Sequence, residues 1–175
     1  MSRWLRLLPV LLLGFVIAAL VWRLSNPEDT TVKSRMVGKL VPDLVLQSAV
    51  AGKPGWRLRS GNCGPVVINF FASWCAPCIE EAKLLTELKE QGVPIVGIAV
   101  RDRPQDVAGF LASNGDPYLA IGTDSGSEVQ MAFGSSGVPE TFIVDAYCKI
   151  RHQHIGPIEP GDVSGIREQW EGLRK

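Results

Sequence analysis

The segment Trp74-Cys75-Ala76-Pro77-Cys78 carries two thiols separated by two residues, a spacing that lets one sulfur attack a disulfide and the other resolve the product. The thiolate is the attacking species, so the chemistry depends on what ionises one cysteine and what holds the second within reach. Two plainer readings of the pair are a zinc half-site and a structural disulfide. Structural zinc takes four ligands, yet Cys63 and Cys148 stand singly, and His152 and His154 have no ligand spacing to either. Redox exchange is expected, with no metal and no cofactor.

The neighbouring residues supply a strand and a helix to position these thiols. Residues 65–71, Pro-Val-Val-Ile-Asn-Phe-Phe, are β-branched and aromatic and bounded by Gly64 and Ala72-Ser73, which predicts a buried strand. From Cys78 onward Ile79, Ala82, Leu85 and Leu88 recur at helical spacing, while Glu80, Glu81, Lys83, Glu87 and Lys89 take the other positions. Cys75 then lies at the helix start, where unpaired N–H groups and the positive end of the helix dipole favour an anion. This assigns Cys75 as the attacking thiolate and Cys78, almost one turn further in, as the resolving thiol. Pro77 fits because first-turn N–H groups have no intrahelical acceptor.

Eighteen basic residues balance eighteen acidic ones in 175, and no basic stripe is interleaved with aromatics, which argues against nucleic acid as a partner. Residues 7–22 contain no charged residue and are dominated by Leu, Val, Ile and Ala. As a helix from Trp4 to Trp22 they reach about 28 Å at ~1.5 Å per residue, close to the hydrocarbon thickness of a bilayer. A cleaved signal peptide competes with this anchor, since Arg3 and Arg6 form a basic start and Val16-Ile17-Ala18 an imperfect cleavage pattern. The apolar run continues past that point to Trp22, which favours the anchor. The expected organisation is a cytoplasmic tail over 1–6, a transmembrane anchor over 7–22, a polar linker over 23–40 and one globular domain over 41–175. A second, isolated pair of cysteines suits an oxidising compartment, which favours a periplasmic domain.

Beyond the linker, short strands are expected at 44–46 and 56–58, around the turn-rich Ala51-Gly52-Lys53-Pro54-Gly55. The pattern then predicts strands at 93–100, 118–121, 141–145 and 150–154, and helices at 104–113, 128–133 and 162–174. Glycine and serine clusters at 122–127 and 134–137 lack a P-loop lysine and read as turns. Strands alternating with helices, closed by a hairpin and a helix, predict a three-layer α/β domain with a central mixed sheet. His152 and His154 fall on one strand face and read as solvated or cross-strand contacts.

The WCxPC motif after a buried strand, with Gly137-Val138-Pro139-Glu140-Thr141 before a later one, resembles the thioredoxin fold. Val41-Pro42-Asp43-Leu44, Val66 to Phe70, Trp74 to Cys78, Glu81, Gly92-Val93 and residues 137–142, together with the N-terminal apolar segment, resemble the cytochrome c biogenesis thiol:disulfide interchange family CcmG, also called DsbE. The resemblance implies a membrane-anchored periplasmic reductase. It would keep the CxxCH cysteines of apocytochrome c reduced, directly or through another maturation thiol protein, and be recharged by a transmembrane electron carrier of the DsbD or CcdA type. It also implies a cis Pro139 presenting the Val138 backbone to an extended substrate, with Trp74, Pro77, Glu81 and Glu140 supporting the active site. The strand position six before the first cysteine, often a buried Asp among thioredoxins, is Asn69. Asn accepts no proton, so assistance to Cys78 falls to Glu81 or Glu140.

In the thioredoxin fold the strand after the cis-proline runs antiparallel to the catalytic strand. If Thr141 lies opposite Phe70 or Phe71, the register brings Cys148 opposite Cys63 or Gly64, within reach of a structural disulfide. Two other functions fit the same motif: a peroxiredoxin-like peroxidase, and a membrane-tethered metallochaperone holding copper between Cys75 and Cys78. The peroxidase needs a hydroxyl three residues before the first cysteine, where this chain has Ala72.

Overall fold

The computed structural model describes residues 3–25, 36–58 and 63–174. Residues 1–2 of the expected tail and 26–35 of the expected linker lie outside them. The chain divides into two compact units, Met1–Lys33 and Ser34–Lys175. The first contains one helix, α1 (Arg3–Ser25). Among the described residues no helix is long and apolar enough to cross a membrane.

The second unit contains β1 (Leu44–Leu46), β2 (Trp56–Leu58), β3 (Val66–Phe71), α2 (Ala76–Glu90), β4 (Ile95–Val100), α3 (Pro104–Asn114), β5 (Ala120–Asp124), α4 (Glu128–Ala132), β6 (Glu140–Val144), β7 (Ile150–Ile155) and α5 (Asp162–Gly172). Five strands form one sheet in the order β5-β4-β3-β6-β7. β3 pairs parallel with β4, and β4 with β5; β3 pairs antiparallel with β6, and β6 with β7. β1 and β2 make a separate antiparallel hairpin.

β3 is the middle strand, and all six of its residues are buried, because both faces of the sheet are covered. Val67 and Phe71 point to a core shared with α2, α3 and α5. Val66, Ile68 and Phe70 point to a second core closed by the hairpin and α4. This is the thioredoxin-like three-layer arrangement, with a mixed central sheet.

Two boundaries differ from the sequence expectation for identifiable reasons. β4 starts at Ile95, not 93, because Val93 N–H bonds back to Leu88 C=O (3.1 Å) and closes the turn after α2 around Gly92, at φ +86°. Residues 122–124 are strand, not turn. Gly122 is glycine because the hairpin packs against it: a Cβ there would lie 2.6 Å from Leu46 Cβ.

At the end of the sheet where β3 begins, Cys63 and Cys148 are joined by a disulfide with a Cα–Cα distance of 5.2 Å. The register is shifted from the expected one, since Thr141 lies opposite Asn69. β6 stops at Val144 and the chain turns; Cys148 sits in that turn at φ +64°, and Cys63 N–H reaches Ala146 C=O at 3.3 Å. The turn, more than an extension of the strand register, brings the two sulfurs together. Residues 38–41 run along the same corner: Gly38 N–H donates to Ile150 C=O (2.8 Å), Ile150 N–H to Lys39 C=O (3.0 Å) and Val41 N–H to Cys148 C=O (2.8 Å).

Candidate active site

β3 ends at Phe71, and three residues of turn carry the chain to Cys75, the N-cap of α2. Pro77 occupies the first turn, where its missing N–H costs nothing. Cys75 and Cys78 form a disulfide, Cα–Cα 5.3 Å, and Cys78 N–H donates to Cys75 Sγ at 3.3 Å. That donor, and the helix terminus behind it, would stabilise negative charge on Cys75 once the pair is reduced. Cys75 is 5% exposed and Cys78 1%. Cys75 is thus the more exposed residue of the pair. Trp74 stands out at 62% exposed, its indole N–H donating to Arg101 C=O at 3.3 Å. The Ser73 hydroxyl donates to Asp102 Oδ1 at 2.8 Å, so the loop after β4 braces the turn that carries the cysteines.

The Val138-Pro139 peptide bond is cis. Phe70 lies opposite Glu140, so Pro139 reaches the level of Phe71, at the end of the sheet from which Cys75 emerges. Val138 is half-buried between the two cores, and Pro139 C=O accepts from Gly156 N–H at 3.1 Å.

Glu81 follows Cys78 by one helical turn and is 1% exposed. Its Oε1 accepts from Asn69 Nδ2 at 2.9 Å and its Oε2 from Ile158 N–H at 3.0 Å. Burial pushes its carboxyl above the usual Glu range, while these two donors and the charge of His154 pull the other way. Asn69 Nδ2 also reaches Thr141 Oγ1 (3.0 Å), and the Tyr118 hydroxyl donates to Asn69 Oδ1 (2.8 Å).

Glu140 is placed differently from the expectation that paired it with Glu81. Thr141 faces the dithiol side of the sheet, so its neighbour Glu140 faces the other side. There its carboxylate accepts from Ser136 N–H (2.9 Å), the Ser135 hydroxyl and Gln153 Nε2. It braces the loop that leads into the cis-proline.

His154 pairs across from Thr141 on the dithiol side and lies 3.8 Å from Asp162, while burial and the charge of His154 lower the pKa of His152. Among the described residues no three His, Cys, Asp or Glu side chains are grouped to hold a metal. The buried Asn69 in an apolar strand was legible as unusual; Tyr118 and Thr141, its partners, carried no sequence signal beyond strand propensity.

A dithiol capping a helix on a thioredoxin-like sheet, level with a cis-proline, defines a thiol:disulfide oxidoreductase, whose partners are thiol proteins. The Redoxin family model matches residues 36–169. The thiol:disulfide interchange protein HelX of Rhodobacter capsulatus is 34% identical over 160 residues, covering 90% of each chain. The thiol:disulfide interchange protein DsbE of Escherichia coli is 31% identical over 183 residues, covering all of this chain and 98% of its own. In fold, the chain resembles a crystal structure described as a putative DsbE from Chlorobium tepidum, with a TM-score of 0.68 at 23% identity over 81% of this chain and all of that one. The chain belongs to the redoxin family, among the DsbE-type thiol:disulfide interchange proteins.

Proposed function

We propose that the chain is a membrane-anchored periplasmic reductant in cytochrome c maturation. Its dithiol keeps the CxxCH cysteines of apocytochrome c reduced, directly or through another maturation thiol protein. A DsbD- or CcdA-type carrier in the inner membrane returns it to the dithiol form. The observation that carries the reading is the oxidoreductase site itself, in a chain similar from end to end to DsbE.

Cys75 thiolate attacks a client disulfide, forming a Cys75–client bond and releasing the other client sulfur as a thiolate. Cys78 gives its proton to Glu81 and attacks Cys75; the Cys75–client bond breaks, and the second client sulfur leaves and is protonated. The client gains two electrons from the dithiol; Glu81 returns the Cys78 proton to one client sulfur, water protonates the other, and the enzyme ends as the Cys75–Cys78 disulfide. Trp74 and Val138 flank the exchange, and Pro139 with Glu140 shapes the edge against which the client strand lies.

The anchor is supported by α1. From Leu11 to Trp22 its apolar side chains are exposed on every side of the helix, among them Leu11, Leu12, Phe15, Ile17, Leu20 and Trp22. An apolar surface of that kind finds its partner in a bilayer.

The test is the reduction potential of the full chain in detergent micelles, with its exchange rate against a CxxCH peptide disulfide. A reducing potential and fast reduction of the peptide are expected. A potential near that of a strong oxidant, about −120 mV, would overturn the proposal.

A further inference from the structure

Asn69 in β3 lies beside Gly97 in β4, and Tyr118 enters just before β5, on the far side of β4. The phenol ring crosses β4 where Gly97 has no side chain. A Cβ at position 97 would lie 3.0 Å from Tyr118 Cδ1 and 2.9 Å from Phe71 Cε1. The ring stacks on Phe71, with centroids 4.8 Å apart and planes 20° from parallel, and its hydroxyl donates to Asn69 Oδ1 at 2.8 Å. Among the described residues this hydroxyl has no second acceptor. Burial, with the charges of Glu81 and Asp116, holds the phenol well above its ordinary pKa, so it stays a donor.

An Asn amide can rotate by half a turn, exchanging its acceptor for its two donors. As observed, Nδ2 gives hydrogens to Glu81 and Thr141. Rotated, the amide carbonyl would face Glu81 Oε1, an arrangement compatible only with a protonated Glu81. The Tyr118 hydrogen would then point at an NH2 group and be left buried without an acceptor, which is costly.

We propose that Tyr118 is a positioning residue for disulfide exchange: its hydroxyl locks the Asn69 amide with Nδ2 toward Glu81, so that Glu81 is held ready to take the Cys78 proton. The inference rests on the role of Glu81 proposed above. The titratable and charged groups facing Glu81 are Cys78 on its own helix, Tyr118 ahead of β5, and His154 on β7 with Asp162 of α5 behind it.

The test follows the two steps of oxidation of the reduced full chain by Ellman's reagent. The first thionitrobenzoate released reports attack by Cys75, and the second reports resolution by Cys78. Tyr118→Phe keeps the ring on Phe71 and removes the lock. It should leave the first release unchanged and slow the second about tenfold near pH 7, the worth of one charge-assisted hydrogen bond, with the deficit shrinking as pH rises. Gly97→Ala, which displaces the ring, should reproduce that pH profile. In a Glu81→Gln background Tyr118→Phe should add nothing. If Glu81→Gln slows resolution but Tyr118→Phe keeps the wild-type rate and profile, the positioning role is wrong and the Glu81 reading survives. If Glu81→Gln itself resolves at the wild-type rate, both fall. Equal slowing of both steps at every pH would make Tyr118 merely structural and overturn the inference.

Discussion

Replacing Cys63 and Cys148 together by Ala should destabilise the domain heavily and leave its exchange chemistry intact. The bridge joins positions separated by 85 residues. In the chain-entropy model, cross-linking a loop of that length removes about 15 cal/mol/K from the unfolded chain, or about 4.6 kcal/mol at 25 °C. The unit from Ser34 to Lys175 holds about 140 residues, so its unfolding entropy is about 300 cal/mol/K and the melting temperature should fall by about 15 °C. Urea unfolding of both proteins with Cys75 and Cys78 oxidised measures the difference. The dependence on urea should steepen as well, because an uncross-linked chain exposes more surface when unfolded. A loss below about 1 kcal/mol would refute the entropic account. Loss of exchange with a CxxCH peptide by a still-folded variant would show that the bridge serves the active site, contrary to its position at the far end of β3.

Cys78→Ser should accumulate mixed disulfides with client proteins through Cys75, and Cys75→Ser should accumulate none; diagonal electrophoresis reads the difference, and the opposite pattern reverses the assigned roles. Glu81 adds a pH signature to stability. Its folded carboxyl titrates above the ordinary value of 4.5, so the native state keeps a proton that the unfolded state loses first. That contribution is fully present below about pH 4.5 and fades as pH rises through the folded value. The stability gained by Glu81→Gln should therefore grow with pH across this window in urea titrations; a pH-independent difference would place the Glu81 carboxyl in an ordinary, solvated setting.

What the sequence revealed follows the range of the interactions involved. Cys75, Pro77 and Cys78 act through one turn of backbone, and their spacing was enough to place them at a helix start. The strand over 66–71 was legible because every residue in it is apolar except Asn69. Gly122 misled because a glycine admitted for a close-packed Leu46 has the same letter as a glycine required by a turn. Glu81 and Glu140 looked alike for a similar reason. Only the alternation of β6, fixed by the contact of Thr141 with Asn69, puts Glu140 on the opposite side of the sheet. The path from Tyr118 to Asn69 spans 49 positions in the chain and a strand between them, which no local pattern encodes.

The corner where residues 38–41 meet β7 determines how this domain bears tension. A pull on the chain ahead of Met36 is taken up first by the backbone bonds from Gly38, Lys39 and Val41 to Ile150 and Cys148. From Cys148 it passes through a covalent sulfur bridge to Cys63, just ahead of β3. Cys75 lies beyond the opposite end of β3, about 20 Å away at ~3.3 Å per residue. Traction on the N-terminal side is thus carried into the sheet at its remote end, where the sulfur link prevents peeling. The turn that carries the exchanging cysteines lies beyond the end of β3 opposite to that load path.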